Sequence, residues 1–384
     1  ADAGFIRFCS GFMAGPREGF PHYTYLVNEE SNDPLYVPDG AVYGPDPAIY
    51  GAGTDIRQAG YSVWLDTANG KYGVLAGAGR HNHENQVIVP GGWKGIYSVS
   101  GDDTFAAPSS QLYMYAAKNW QAYQKDDGTL WAFRVTETDQ GPVDATNPFN
   151  GANDYLDIAT SDAPWKGEFI PVPADVARGG QDALETWSND NNVFQFIRVE
   201  DISYDPDSPR EVYFADTGTN RLLESAATGR LYRASSGTPG TTDANGGRIF
   251  KMVLNPSNPT VVDAFSVLVD GGDIGMRNPD NVALSHGSLM VQEDTSDAQI
   301  WMHPLGSSDW TKIAYATTSA PETTGIIDVS QWLGDGWWAL NVQGHTNIDQ
   351  TPGQVYEGPG AMNGTTFTAR RESGQLLLMH VPGS

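Results

Sequence analysis

Cysteine is almost absent from this chain of 384 residues: the single thiol, Cys9, excludes an internal disulfide framework. Such scarcity suits an oxidising compartment, where a stray thiol is a liability, and it makes the remaining one informative. Its ordinary reading is a small buried hydrophobe. Basic residues are also few, 22 Lys and Arg against 47 Asp and Glu, for a net charge of −25. A field of that sign repels nucleic acid and anionic lipid, and neither is expected as a partner. No run of about 18 apolar residues occurs, so no helical membrane insertion is expected. Helical periodicity is confined to Pro108–Ala117 and Pro173–Asn189. There is no Gly-x-Ser-x-Gly elbow, P-loop or dinucleotide fingerprint in a strand-to-helix context, which leaves serine nucleophiles and nucleotide cofactors without support.

What the chain has instead is 44 Gly, 24 Pro and 11 Trp, with many short strand-like runs bounded by Gly, Pro, Asn or Asp. Gln86–Val89, Phe194–Tyr204, Glu211–Ala215, Arg248–Leu254, Ser288–Gln292 and Gln375–Val381 are examples. Strands at this density without intervening helices predict an all-β fold. Ile202–Leu254 and Val282–Ala316 repeat one grammar, in which a short strand ends in an acidic cluster and strands rich in aromatics or Met follow. That is how β-propeller blades are written, and the length suggests about six of them in a single domain, 1–384. Ser235–Gly247 reads as a surface loop and Asp139–Pro173 as a long insertion with little periodicity. The opening Ala1-Asp2-Ala3-Gly4 reads as a mature terminus left by signal-peptide removal, which predicts a secreted or periplasmic protein.

Acidic motifs stand beside several of these strands: Asn28-Glu29-Glu30, Asn82-His83-Glu84-Asn85, Arg198-Val199-Glu200-Asp201, Pro279-Asp280-Asn281, Gln292-Glu293-Asp294 and Glu322-Thr323-Thr324-Gly325. A carboxylate beside a buried strand is costly unless positive charge meets it there, so contributions from many strand ends suggest a shared cation site. Asp, Asn and Glu supply the hard oxygen ligands that Ca²⁺ prefers. In an extended strand Arg198 and Glu200 share one face, while Val199 and Asp201 take the other. Arg198 and Glu200 are therefore either a neighbouring ion pair or, functionally, an anion clamp and a metal ligand. Asn82–Asn85 is not the helical zinc signature; among the histidines His81, His83 and His345 are functional candidates, with a structural role favoured for His81.

Taken in order, these residues resemble the PhoX-type alkaline phosphatase family and its secreted phytase-like relatives. The resemblance runs from Arg7-Phe8-Cys9-Ser10-Gly11 and Asn28-Glu29-Glu30 through the four central motifs. It closes with Thr324-Gly325-Ile326-Ile327-Asp328, Gly336-Trp337-Trp338, Val342-Gln343-Gly344-His345 and Ser373–Met379. It implies a β-propeller with Fe³⁺ and Ca²⁺ on its axis that hydrolyses phosphate esters outside the cell. It further implies Cys9 as an iron ligand, and Glu29 or Glu30, Glu84, Glu200, Asp280, Glu293 and Asp294 as carboxylate ligands. Arg198 would hold the substrate phosphate, and Arg198 and Glu200 would be the catalytic pair. The stretch Phe12–Pro21 departs from the Pro-Trp-Gly-Thr-like segment of the phosphatases. Two alternatives stand beside the phosphoesterase: a non-catalytic extracellular propeller that keeps Ca²⁺ for stability, and a Ca²⁺-dependent lyase or lactonase. In the first, Trp93, Trp120, Trp165 and Trp187 would either face a partner or, more simply, pack beneath loops.

Overall fold

The computed structural model describes residues 8–30, 34–35, 56–57, 60–104, 110–144, 154–224, 231–233, 242–244, 246–295, 297–316, 321–347 and 372–384. Arg7 and most of the loop Ser235–Gly247 lie outside the described residues, as does the side chain of His345. The chain divides into two compact units, Ala1–Val282 and Ala283–Ser384.

In the first unit the chain opens with β1 (Phe8–Ala14) and β2 (Thr24–Glu29), followed by a two-residue pairing of β3 (Pro34–Leu35) with β4 (Ile56–Arg57). β5 (Ser62–Asp66) and β6 (Tyr72–Leu75) complete an antiparallel sheet in the order β1-β2-β5-β6. A second meander follows: β7 (His83–Ile88), β8 (Ile96–Asp102), β9 (Leu112–Ala117) and β10 (Gly128–Thr138). The short β11 (Gly141–Pro142) folds back on β10, and β12 (Trp165–Pro171) pairs with β10 on the edge that β9 leaves open. The third meander is β13 (Val199–Tyr204), β14 (Glu211–Asp216), β18 (Arg248–Leu254) and β19 (Val261–Asp270). Between its second and third strands lies a small sheet of β15 (Thr219–Glu224), β16 (Leu231–Arg233) and β17 (Thr242–Ala244). Because β12 pairs with β10 on one side and β19 on the other, it stitches the last strands of the second and third meanders into one continuous sheet.

β20 (Pro279–Ser285) runs across the boundary and begins a fourth meander with β21 (Ser288–Glu293), β22 (Ile300–Pro304) and β23 (Thr311–Ala314). β24 (Pro321–Asp328), β25 (Trp337–Asn347) and β26 (Glu372–His380) form the last sheet. The fold is all-β and of the β-propeller type. Among the described residues five meanders have the blade-like form, two of them joined in one sheet, beside the six blades expected from length. No described helix is long and apolar enough to cross a membrane.

Two sequence expectations are corrected here. The run predicted helical over Pro108–Ala117 forms strand β9 over Leu112–Ala117. Leu112, Tyr113, Met114 and Tyr115 are all buried, so both faces of the strand are covered. A two-sided strand reads as a continuous apolar run, which periodicity alone cannot separate from a buried helix. The supposed insertion Asp139–Pro173 contains β12, whose ladder partners lie far away in sequence. Pro173–Asn189 does become helical, as Ala174–Ala177 and Gln181–Asp190 separated by Arg178-Gly179-Gly180.

The second and third meanders enclose an aromatic core. Phe196 lies 4.7 Å from Phe194, 5.4 Å from Phe214 and 5.3 Å from Phe250, centroid to centroid, mostly edge to face. Ring pairs of this geometry add to the hydrophobic gain of burial, and they place the residues just before Arg198 in a rigid layer. Trp93 and Trp165 pack with this core, while Trp120 and Trp187 pack against the cluster of Leu26, Ile88, Tyr113 and Leu130. Packing is therefore the role the structure gives these four indoles.

Candidate metal centre

The first strands of the three meanders of unit 1 share an irregularity. In β1 the register passes from Phe8↔Glu29 to Gly11↔Val27, so Cys9 and Ser10 oppose Asn28 alone. In β7 it passes from His83↔Asp102 to Gln86↔Ser100, so Glu84 and Asn85 oppose Gly101. In β13 it passes from Val199↔Asp216 to Ile202↔Phe214, so Glu200 and Asp201 oppose Ala215. A bulge of two residues against one bends its strand and re-aims a side chain. Here the first residue of each bulge is the thiol or carboxylate picked out in the sequence. Gly101 permits the close approach: a Cβ there would stand 2.5 Å from Val199 Cγ1 and 2.8 Å from its carbonyl oxygen.

The re-aimed side chains converge. Cys9, Glu30 and Glu84 present ligand atoms within 4.8 Å of one another, as do Glu84, Asp103 and Glu200, and Glu84 belongs to both groups. The Cys9 residue keeps an exposed surface, yet its thiol hydrogen-bonds to Glu84. Arg198 faces the second group, with Nε 2.8 Å from Asp103 Oδ1, Nη2 3.2 Å from Asp103 Oδ2 and Nη2 2.7 Å from Glu200 Oε1. Glu200 Oε1 also lies 2.9 Å from Thr217 Oγ1, which stands 2.8 Å from the Pro279 carbonyl. Asp280 is close enough to act electrostatically on Cys9, Glu84, Arg198 and Glu200.

The electrostatics of this cluster are those of an uncompensated anionic site. Burial, reinforced by Glu30, Asp280 and Asp103, pushes the Glu84 carboxyl well above its usual range. Burial and Asp103 do the same to Glu200 against the opposing pull of Arg198. Burial and the surrounding carboxylates push the Cys9 thiol up as well. One guanidinium cannot neutralise so many carboxylates, and gathering them out of water is costly without further cations. The donor chemistry fits bound metal. The sulfur-containing group suits a transition metal, the all-oxygen group suits a hard cation such as Ca²⁺, and Glu84 is placed to serve both.

The remaining candidates fall differently. Glu29 is in neither group; its Oε2 accepts from the Tyr61 amide at 3.3 Å, so it is Glu30 that stands beside Cys9 and Glu84. In the second unit, buried Glu293 accepts from Trp301 Nε1 at 2.8 Å and Thr295 Oγ1 at 3.1 Å, while Asp294 is exposed. Asp103 went unread in the sequence, although Ser100-Gly101-Asp102-Asp103 repeats the signal of acidic residues at the end of an apolar strand. Asp216 was missed too. Its buried carboxylate accepts from the amides of Ile197 at 2.8 Å and Gly218 at 3.0 Å, which holds the backbone on either side of Arg198, and burial pushes its pKa up to about 7. The divergent stretch Phe12–Pro21 forms the end of β1 and a tight turn, where Glu18 accepts from the Tyr204 hydroxyl at 2.8 Å.

His83 is structural. Its Nε2 donates to the Gly79 carbonyl at 3.1 Å and its Nδ1 accepts from the Ser100 hydroxyl at 2.8 Å, beside the His81 ring at 3.6 Å. Burial lowers its pKa to about 4. Since this lies below the ordinary histidine value near 6.5, the unfolded chain binds the extra proton. The stabilisation is complete above about pH 6.5 and is lost as pH falls toward 4. The gap in unfolding free energy between wild type and His83→Gln should therefore narrow by about 2–3 kcal/mol between pH 7.5 and pH 4.5. Urea unfolding at the two pH values measures this, and a gap independent of pH would refute it.

The fold and the gathered donors define the class: an all-β, propeller-type protein with an anionic cluster suited to cations. The chain is similar to PhoX of Pseudomonas fluorescens, whose structure was solved with vanadate, a transition state analogue. The TM-score is 0.61 at 16% sequence identity over 97% of this chain and 69% of that one. The chain thus has a PhoX-like fold. A putative dipeptidyl aminopeptidase IV from Bacteroides ovatus aligns at 13% identity over 85% of this chain and 43% of that one, with a TM-score of 0.20, too low to support any argument. No protein-family model and no curated protein matches the chain.

Proposed function

We propose that this protein is a secreted or periplasmic, metal-dependent phosphoesterase that hydrolyses phosphate monoesters. The observation that carries the proposal is the convergence of Cys9, Glu30, Glu84, Asp103 and Glu200 beside Arg198. Cys9, Glu30 and Glu84 would hold iron; Glu84, Asp103 and Glu200 would hold calcium, with Asp280 adding negative charge nearby. Bound there, the cations would supply Lewis-acid stabilisation of charge on the phosphoryl oxygens. The similarity to a PhoX that binds a transition state analogue supports a phosphoryl-transfer reading of the same fold.

The chain's own residues have definite tasks. The paired carboxylates raise the proton affinity of Arg198, which stays cationic across the working pH range. Asp103 fixes the plane of the guanidinium from one side. The side chain keeps 20% of its surface exposed, enough to meet an incoming phosphate with a planar fork. Thr217 and Arg198 both contact Glu200 Oε1 and so orient the carboxylate. In the hydrolysis itself the ester P–O bond breaks, the oxygen of water joins phosphorus, and the alcohol departs with a proton.

Purified protein should contain iron and calcium by elemental analysis and should hydrolyse an aryl phosphate. Hydrolysis should disappear on chelation and return with added Ca²⁺. Calcium without iron, with no hydrolysis, would support the non-catalytic propeller instead, and absence of both metals would overturn the proposal.

A further inference from the structure

We infer that Asp201 and Asn85 form a positioning pair, joining two β-bulges back to back so that Glu84 and Glu200 meet at one point. The inference rests on the metal-centre reading above and assigns roles to two residues outside it. Each is the second member of its bulge, immediately after Glu84 or Glu200. The first members turn into the cluster, and the second members meet each other. Asn85 Nδ2 donates to Asp201 Oδ1 and, at 3.3 Å, to the Ile202 carbonyl.

The same carboxylate reaches a third chain segment. Asp201 Oδ1 also accepts from the Ile202 amide at 2.8 Å, and Oδ2 accepts from the Val282 amide at 3.0 Å. Val282 lies two residues beyond Asp280 on β20. One carboxylate thus ties together the segments that carry Glu84, Glu200 and Asp280. It faces only N–H donors, with no cationic partner in its hydrogen-bond set. Asn85 is buried, with its own Oδ1 left without a hydrogen bond. An amide kept in that state serves through its NH₂ group, and that group is spent on β13. A bulge is a local loosening of the ladder. Two bulges facing each other without a cross-link would leave the directions of Glu84 and Glu200 poorly defined, and metal sites depend on such outer support.

The test uses three variants of the full chain. Asp201→Asn must turn an NH₂ group toward either Asn85 Nδ2 or the Val282 amide, and Asn85→Asp sets two carboxylates face to face. The exchange variant Asn85→Asp/Asp201→Asn restores one amide against one carboxylate at unchanged net charge. Calorimetric titration with Ca²⁺ and aryl-phosphate kinetics are the readouts, with circular dichroism to check folding. Each single variant should lose about 10–100-fold in Ca²⁺ affinity and lower kcat more than it raises KM. The exchange variant should recover about tenfold of the affinity lost by the singles, within that same range. Single variants that match the wild type overturn the inference, and so does an exchange variant that binds no better than they do or fails to fold. A wild type that binds neither cation and hydrolyses nothing sinks the metal-centre reading and the inference together. A fully active wild type with unaffected variants sinks only the inference.

Discussion

Glu84→Gln is expected to abolish the response to both cations while making the metal-free protein more stable. Glu84 belongs to both donor groups, so its loss leaves neither complete. Hydrolysis should fall by about 10²–10³-fold or more, the scale seen when a central electrostatic element of a site is removed. The gain in metal-free stability follows from the sign of the linkage. The folded protein raises the Glu84 carboxyl above its unfolded value, so ionisation is disfavoured in the native state. Its contribution is most favourable at low pH and is lost as pH rises through the folded pKa. A neutral, nearly isosteric amide removes that penalty. Thermal unfolding with chelator, and again with Ca²⁺, checks both parts. The wild type should gain melting temperature from the cation and the variant should not. A variant that still gains it would remove Glu84 from the centre.

Arg198→Ala should act with the opposite sign on the metal-free protein. Arg198 is the cation paired with Asp103 and Glu200, both buried. Removing one partner of a buried ion pair strands the others, at a cost of about 3–5 kcal/mol. Bound cations would offset much of this, so the variant should depend on them more strongly than the wild type. In the metal-loaded protein iron and calcium should remain, while kcat/KM for an aryl phosphate drops by about 10²–10³-fold. Inhibition by inorganic phosphate should weaken in parallel. Arg198→Lys should recover only part of the loss, because an ammonium cannot reproduce the planar fork. Unchanged kinetics in Arg198→Ala would leave the residue as a structural counter-ion only.

The contrast between these two variants reflects how the site is assembled. The carboxylates are held close by backbone geometry, and Arg198 relieves part of the repulsion at Glu200. Charge of one sign is gathered by the fold, and on the proposed reading bound cations would balance it. The bulges are the device: an unbroken ladder would continue the regular alternation of side chains, whereas the extra residue re-aims the side chain at that point. A bulge in β24 of the second unit has the same two-against-one form: it places Gly325 and Ile326 opposite Leu340, and there Gln292 Oε1 accepts from the Ile326 amide at 2.9 Å. That bulge presents no carboxylate, so the bend recurs while the chemistry does not.

Much of the ladder was legible in local pattern. Arg248–Leu254 is a strand over the expected residues, and Glu211–Ala215 and Ser288–Gln292 differ by a single residue at one end. Their alternation and their Gly and Asp boundaries are properties of a few neighbouring residues. β9 was not legible, because burial on both faces erases alternation. β12 was not either, since its role comes from pairing with β10 and β19.

The acidic motifs show the same division. By itself the sequence determined that carboxylates stand at strand ends, and that Arg198 and Glu200 share a face opposite Val199 and Asp201. Those statements need only the period of an extended chain. Tertiary structure alone decided that Glu30 rather than Glu29 joins Cys9, that Asp103 completes the oxygen donors, and that Asp201 turns back to Asn85. A bulge exists only relative to the partner strand. Where its side chain points therefore depends on residues far away in sequence, which no local periodicity records.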